Sequence, residues 1–129
     1  MSYTRANGKF ADTEDFVLYP LTTLAAAGAV NGAALENGDR SVACLELVCT
    51  SLTASDTLDA KIQTSKDGTG SGLGAWRDVG TFTQITATSG SERKSFPGLD
   101  RFIRAVVTPL DAGGGGIAAT LSISGELKG

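Results

Sequence analysis

Between Thr57 and Thr64 the chain alternates strictly. Leu58, Ala60 and Ile62 are apolar, and Asp59, Lys61 and Gln63 stand between them. A helix would turn Ala60 away from Leu58 and Ile62, whereas a strand lines all three on one face. The same period of two returns in Arg101 to Pro109, with Ile103, Ala105 and Val107 on one side. It returns again in Ile117 to Leu127. There Ile117, Ala119, Leu121 and Ile123 face inward, and Ala118, Thr120, Ser122 and Ser124 face outward. Three such segments commit the chain to sheet.

The run Ser41 to Leu52 differs. Ala43, Leu45, Leu47 and Cys49 fall on one side, and Val42, Cys44, Glu46, Val48 and Thr50 on the other. Both sides are largely apolar, which marks a central strand. Phe16 to Leu21 is a further strand, held to an edge or ended by Pro20, which cannot donate to a ladder. Leu24 to Leu35 is alanine-rich, but Gly28, Asn31 and Gly32 break any helix, so short strand and loop are expected. Trp76 to Ile85 and Glu92 to Phe96 complete the set. Ser65 to Gly74 and Gly113 to Gly116 supply turns. Seven or eight strands with regular turn chemistry predict an all-β, antiparallel β-sandwich of jelly-roll or immunoglobulin-like type. A length of 129 residues suits one domain. It is expected over residues 16–129, behind a polar N-terminal arm over residues 1–15. Hydrophobic residues at 41% and charged residues at 19% belong to a folded chain.

Chemistry is constrained by an absence. The sequence contains no histidine, so the commonest general base and metal ligand are missing. No Ser/His/Asp or Cys/His set can form. The carboxylates Asp59, Asp78 and Glu92 fall on apparent outward positions, where solvation accounts for them. Glu46 is the exception, an acid inside an apolar strand. A half-exposed face accounts for it; otherwise another chain covers that face, or Arg104 or another base pairs with it. No catalytic residue, cofactor or metal ligand is assigned. Asp67, in a glycine-rich loop, is a single carboxylate where calcium needs several oxygen ligands. Gly113 to Gly116 lacks the Gly-Lys-Ser/Thr ending and following helix of a phosphate loop.

The net charge is −3. Arg93, Lys94, Arg101 and Arg104 are interrupted by Glu92 and Asp100, so no polyanion surface is predicted and nucleic acid is not an expected partner. No apolar run of about 20 residues exists to span a membrane. Cys44 and Cys49 lie five residues apart on one strand, about 16 Å and facing opposite ways. They are therefore expected as free thiols, as in a protein made in a reducing cytoplasm.

Two segments are distinctive. Ser65-Lys66-Asp67-Gly68 followed by Trp76-Arg77-Asp78-Val79 resembles an Asp-box hairpin, in which the Asp accepts backbone N–H groups and the Trp packs over the turn. The stretch Leu58-Asp59-Ala60-Lys61-Ile62-Gln63-Thr64 leads into it. It continues through Gly80-Thr81-Phe82-Thr83-Gln84-Ile85 to Phe96 and Asp100-Arg101-Phe102-Ile103-Arg104-Ala105. Over roughly residues 41–127 the chain is similar to small virion proteins encoded in tailed-bacteriophage structural gene clusters. Some of those are capsid decoration (cement) proteins, and others are neck or tail components. The resemblance implies a non-enzymatic particle component and does not itself choose the position; of the positions, the capsid surface is the one expected. Its expected partners are the major capsid protein and further copies of itself, as a trimer. Alternative readings are a neck, tail or fibre part, or a carbohydrate-binding module stacking sugar on Trp76 and Phe82.

Overall fold

The computed structural model describes residues 13–129, with side chains from Phe16 onward. They form a β-sandwich of two antiparallel sheets. Nine strands are present among the described residues: β1 (Thr13–Leu24), β2 (Val30–Asn31), β3 (Leu35–Glu36), β4 (Val42–Leu52), β5 (Thr57–Ser65), β6 (Arg77–Thr81), β7 (Gly90–Phe96), β8 (Phe102–Leu110) and β9 (Ala119–Lys128). Sheet A has the order β1-β9-β4-β7. Sheet B has the order β2-β8-β5-β6, with β3 also paired to β8. The arm expected over residues 1–15 falls largely outside the described residues, and β1 begins at Thr13, inside that span.

The alternation read from the sequence is the packing between the sheets. Ala43, Leu45, Leu47 and Cys49 of β4 and Ala119, Leu121 and Ile123 of β9 point inward from sheet A. Leu58, Ala60 and Ile62 of β5 and Ile103, Ala105 and Val107 of β8 meet them from sheet B. All are at most 3% exposed. These four strands are the inner pair of each sheet. Each has a partner on both sides and a covered face, so its side chains obey the pleat without interruption.

Edge strands read less cleanly. β1 lies at the edge of sheet A, as Pro20 requires. Its register against β9 slips between Val17 and Tyr19 and again between Tyr19 and Thr22. The freed Pro20 carbonyl accepts the Thr22 hydroxyl at 2.7 Å. Along the outer side of β8, the ambiguous 24–35 stretch becomes an interrupted edge. Gly28 N–H donates to Pro109 O (3.0 Å), Gly32 N–H to Ala105 O (2.7 Å) and Asn37 N–H to Arg101 O (2.8 Å), and only β2 and β3 count as strand between these bonds. Within β9, Gly125 is obligatory, since a Cβ there would overlap the Cys44 carbonyl of the neighbouring strand.

The expected strand 76–85 stops early. β6 ends at Thr81, and Phe82 turns into the core at 4% exposure, edge-to-face with Phe96 at 5.1 Å between centroids. Glu92 is not on the outward side. Its Cα partner is Leu47, so it shares the inner face, and Lys94 is likewise opposite Leu45. Because β7 is an edge strand, both side chains leave sideways and close the flank. Glu92 accepts Thr83 N–H at 2.6 Å and its hydroxyl at 3.1 Å, and Lys94 Nζ donates to Thr81 O at 2.6 Å.

Candidate functional site

The outer face of sheet A is built from the residues left over by the core. Val42, Cys44, Glu46 and Val48 of β4 and Thr120, Ser122, Ser124 and Glu126 of β9 are all half-buried. They are short and partly apolar, and they present a shallow surface. Near the start of β1 this surface dips into a groove of about 590 Å³ lined by Phe16, Val17, Cys44, Glu46, Arg93 and Glu126, with Ser124 and Gly125 at its floor. Val17 is 55% exposed. Glu46, the acid in the apolar strand, meets Arg93 of β7 at 3.6 Å. Arg104, the base named as its candidate partner, belongs to the other sheet. Alternation places Glu46 outward and Arg104 outward from opposite layers, so the sandwich itself keeps them apart.

The two cysteines fall on opposite faces and are free. Cys49 is inside, where burial pushes its thiol pKa up. Cys44 is in the groove, 3.3 Å from Ser95 Oγ.

The outer face of sheet B is closed on itself. Asp59 accepts Gln84 Nε2 at 3.2 and 3.1 Å through its two oxygens. Asp78 accepts Gln63 Nε2 at 2.9 Å and pairs with Lys61 at 3.2 Å. These bonds from Gln63 and Lys61 hold its carboxyl below the ordinary range. Gln63 Oε1 in turn accepts Arg104 Nε at 2.9 Å, and the Arg104 guanidinium lies 4.3 Å from the Trp76 ring centre. This stack joins residues far apart in sequence, and the separate facts of an outward Arg104 and a Trp76 entering the next strand but one did not bring them together. Trp76 is half-buried with one face covered by arginine, and Phe82 is inside the core. The stacking pair imagined for a carbohydrate module is therefore not assembled.

The Asp-box-like segment forms a self-bonded loop between β5 and β6. Ser65 Oγ donates to Gly74 O at 2.5 Å and accepts Gly68 N–H at 2.9 Å. Asp67 accepts the backbone N–H of Thr69 at 2.9 Å and its hydroxyl at 2.7 Å. Those two bonds, in that order, lower its pKa. A Cβ on Gly74 would overlap the Asp67 carboxylate, so only glycine closes the loop. Trp76 packs beside Gly70. The loop ends in Leu73, which is 87% exposed.

Arg93, Lys94, Arg101 and Arg104 do not converge. Arg93 is in the sheet A groove, Lys94 is tied to Thr81, Arg101 pairs with Glu36, and Arg104 covers Trp76. Among the described residues, no three of His, Cys, Asp and Glu lie close enough to hold a metal. The glycine run follows Asp111, whose carboxylate accepts Gly114 N–H and Gly116 N–H, each at 2.9 Å. It is a capped turn. No described helix is long and apolar enough to cross a membrane.

No protein-family model matches the chain, and no curated protein matches it. Among solved structures, it is similar to a chain from the structure of infectious bursal disease virus, Gx strain. The TM-score is 0.57 and the identity 14%, over 90% of this chain and 32% of that one. This chain thus spans about a third of the viral one. It also aligns with a family 29 carbohydrate-binding module from Piromyces equi, at TM-score 0.39 and 13% identity, over 88% of this chain and 91% of the module. The second likeness is too distant to carry an argument, and the first is a likeness of fold: the chain is a β-sandwich of an architecture also built into a virus structure.

Proposed function

We propose that this protein is a non-enzymatic structural component of a tailed-bacteriophage virion. It decorates the capsid surface by binding across capsid subunits, and it does so as a homo-oligomer, a trimer at three-fold or quasi-three-fold positions. The observation that carries this reading is the outer face of sheet A. It is a broad, shallow surface of small side chains whose only ion pair is the loose Glu46–Arg93 contact among the described residues. Such a face suits a broad protein contact, and its groove is an open dip and not the enclosed pocket that takes up most of a small molecule's surface. The sequence resemblance to phage virion proteins points the same way, and the sandwich similarity to a chain of a virus structure is in keeping with it. A shell offers the same joint many times, so modest contacts add up when copies are linked.

The test is co-sedimentation of the purified protein with assembled capsids that lack it, followed by cryo-EM of the complex. Binding of the wild type, and its loss in Val48→Lys on the outer face, are the expected results. Density at the neck or tail with a bare shell would move the protein to that part of the particle. A chain lacking residues 1–12, which precede β1, tests the expected arm. It should keep its melting transition and bind shells more weakly.

A further inference from the structure

We propose that the 65–74 loop of one copy seats in the sheet A groove of a second copy, with Leu73 as the anchor. This rests on the oligomeric part of the reading above and supplies its contact surfaces. The loop is already ordered. Besides the Ser65 and Asp67 bonds, Gly70 N–H donates to Gly74 O at 3.0 Å and Gly74 N–H to Ser71 O at 2.9 Å. A loop fixed before it binds loses little further freedom on docking. It nevertheless presents to water a leucine that is 87% exposed, on a chain that buries its other leucines in the sandwich or leaves them on strands. The loop's own packing, against Phe102 and Trp76, is on sheet B. The groove is on the far face of sheet A, so loop and groove meet only between copies.

The chemistry of the two surfaces matches. Ser65 and Gly74 are latched together, so Lys66 and Leu73 are the first residues inside the latch, one from each arm of the loop. They set a cation and an exposed leucine on the two arms at the base of the loop. The groove offers the reverse pair. Val17, 55% exposed, supplies the apolar wall, and Glu126, two residues on from the Ser124 that pairs with Val17, supplies an anion. Neither Lys66 nor Glu126 has an ion pair or side-chain hydrogen bond among the described residues. Leu73 against Val17, with Lys66 against Glu126, satisfies both. Loop and groove are different surfaces, so the contact is heterologous. Such a contact builds a ring when its rotation closes, and a three-fold rotation would give the trimer of the proposed function.

Sedimentation velocity of the full chain alone, over a concentration series, tests this. No capsid is present, so the outcome is separate from that of shell binding. The wild type should self-associate, and Leu73→Asp should weaken association by at least about tenfold, the effect of losing a central anchor. Leu73 is almost fully exposed, so its replacement leaves the fold intact, which an unchanged melting curve will register. Lys66→Glu and Glu126→Lys should each weaken association, and the two together should restore it, because the pair is reformed with its charges exchanged. A wild type that stays monomeric up to its solubility limit overturns the proposal. So does a Leu73→Asp chain that associates like the wild type, or a double charge reversal no better than its singles.

Discussion

The two outer faces of the sandwich are made from the same kind of position and come out differently. On sheet B, Asp59, Lys61, Gln63, Asp78, Gln84 and Arg104 spend their polar groups on one another, and Arg104 caps Trp76. On sheet A, the equivalent positions are mostly valines, serines, threonines and a cysteine; Glu46 and Glu126 are the acids among them, and contacts such as Glu46 to Arg93 at 3.6 Å and Thr23 to Thr120 at 2.8 Å are few. A face whose donors and acceptors are already paired gains little from a partner, because each new bond must replace an old one. A face of short side chains loses little side-chain entropy when covered. The difference leaves the polar groups of sheet B paired with one another and sheet A with the face that costs less to cover.

The largest expected effects should ignore this difference, because both sheets share one interior. Ile62 of β5 and Leu121 of β9 are each fully buried. Ile62→Ala and Leu121→Ala should each cost about 2–5 kcal/mol in chemical denaturation. A much smaller cost for either would mean that its sheet is not packed as described. Next comes Trp76→Ala, which removes the ring beneath Arg104 and leaves that guanidinium held by Gln63 alone. A loss of about 1–2 kcal/mol is expected for the stack and the lost packing. Ser122→Ala on sheet A should stay within about 0.5 kcal/mol of the wild type. Equal costs for Trp76→Ala and Ser122→Ala would erase the contrast between the faces.

Acid sharpens it further. Asp78 and Asp67 have carboxyl pKa values lowered in the fold, by Gln63 and Lys61 and by Thr69 respectively. A lowered folded pKa contributes stability that is present above the unfolded value, about pH 4, and lost as pH falls through the folded value. The melting temperature should therefore decline below about pH 4. Asp78→Asn, which keeps an acceptor for Gln63 but cannot ionise, should show a shallower decline. An unchanged acid limb in that variant would take Asp78 out of the network. The smallest effect is Lys61→Ala. Its side chain is 37% exposed and its partner more so, and many surface pairs of this kind contribute nothing measurable. Its melting curve should nearly overlay the wild type.

What the sequence made legible follows from this division. β5, β8, β9 and the inner face of β4 were readable residue by residue, because a strand covered on one side must alternate. Pro20 placed β1 at an edge. Where an edge frees the chain from the pleat, the reading failed. Phe82 left the strand to fill the core against Phe96, and Glu92 sat on an inner position that only an edge strand can offer to a carboxylate. The partner of Glu46 was missed for another reason: alternation tells which way a side chain points but not which sheet carries it. The strand order that separates Arg104 from Glu46, and brings it to Trp76, is set by long-range pairing that no local pattern encodes.

One pairing bears on how the molecule is made. β1 hydrogen-bonds along its length to β9, across nearly the whole described chain, from Thr13 against Lys128 to Leu24 against Ala119. The partner of the first described strand is thus the last described one, and sheet A cannot close until β9 has been made. Until then β1 and β4 both wait for the strand that belongs between them, with Leu18, Leu45 and Leu47 uncovered. Such distant contacts slow folding, since the chain must close a large loop before any bond rewards it. The nascent chain passes through a stage with open sheet edges, when it is most prone to pair with its neighbours. That interval, more than the stability of the finished sandwich, sets how readily the chain misassembles.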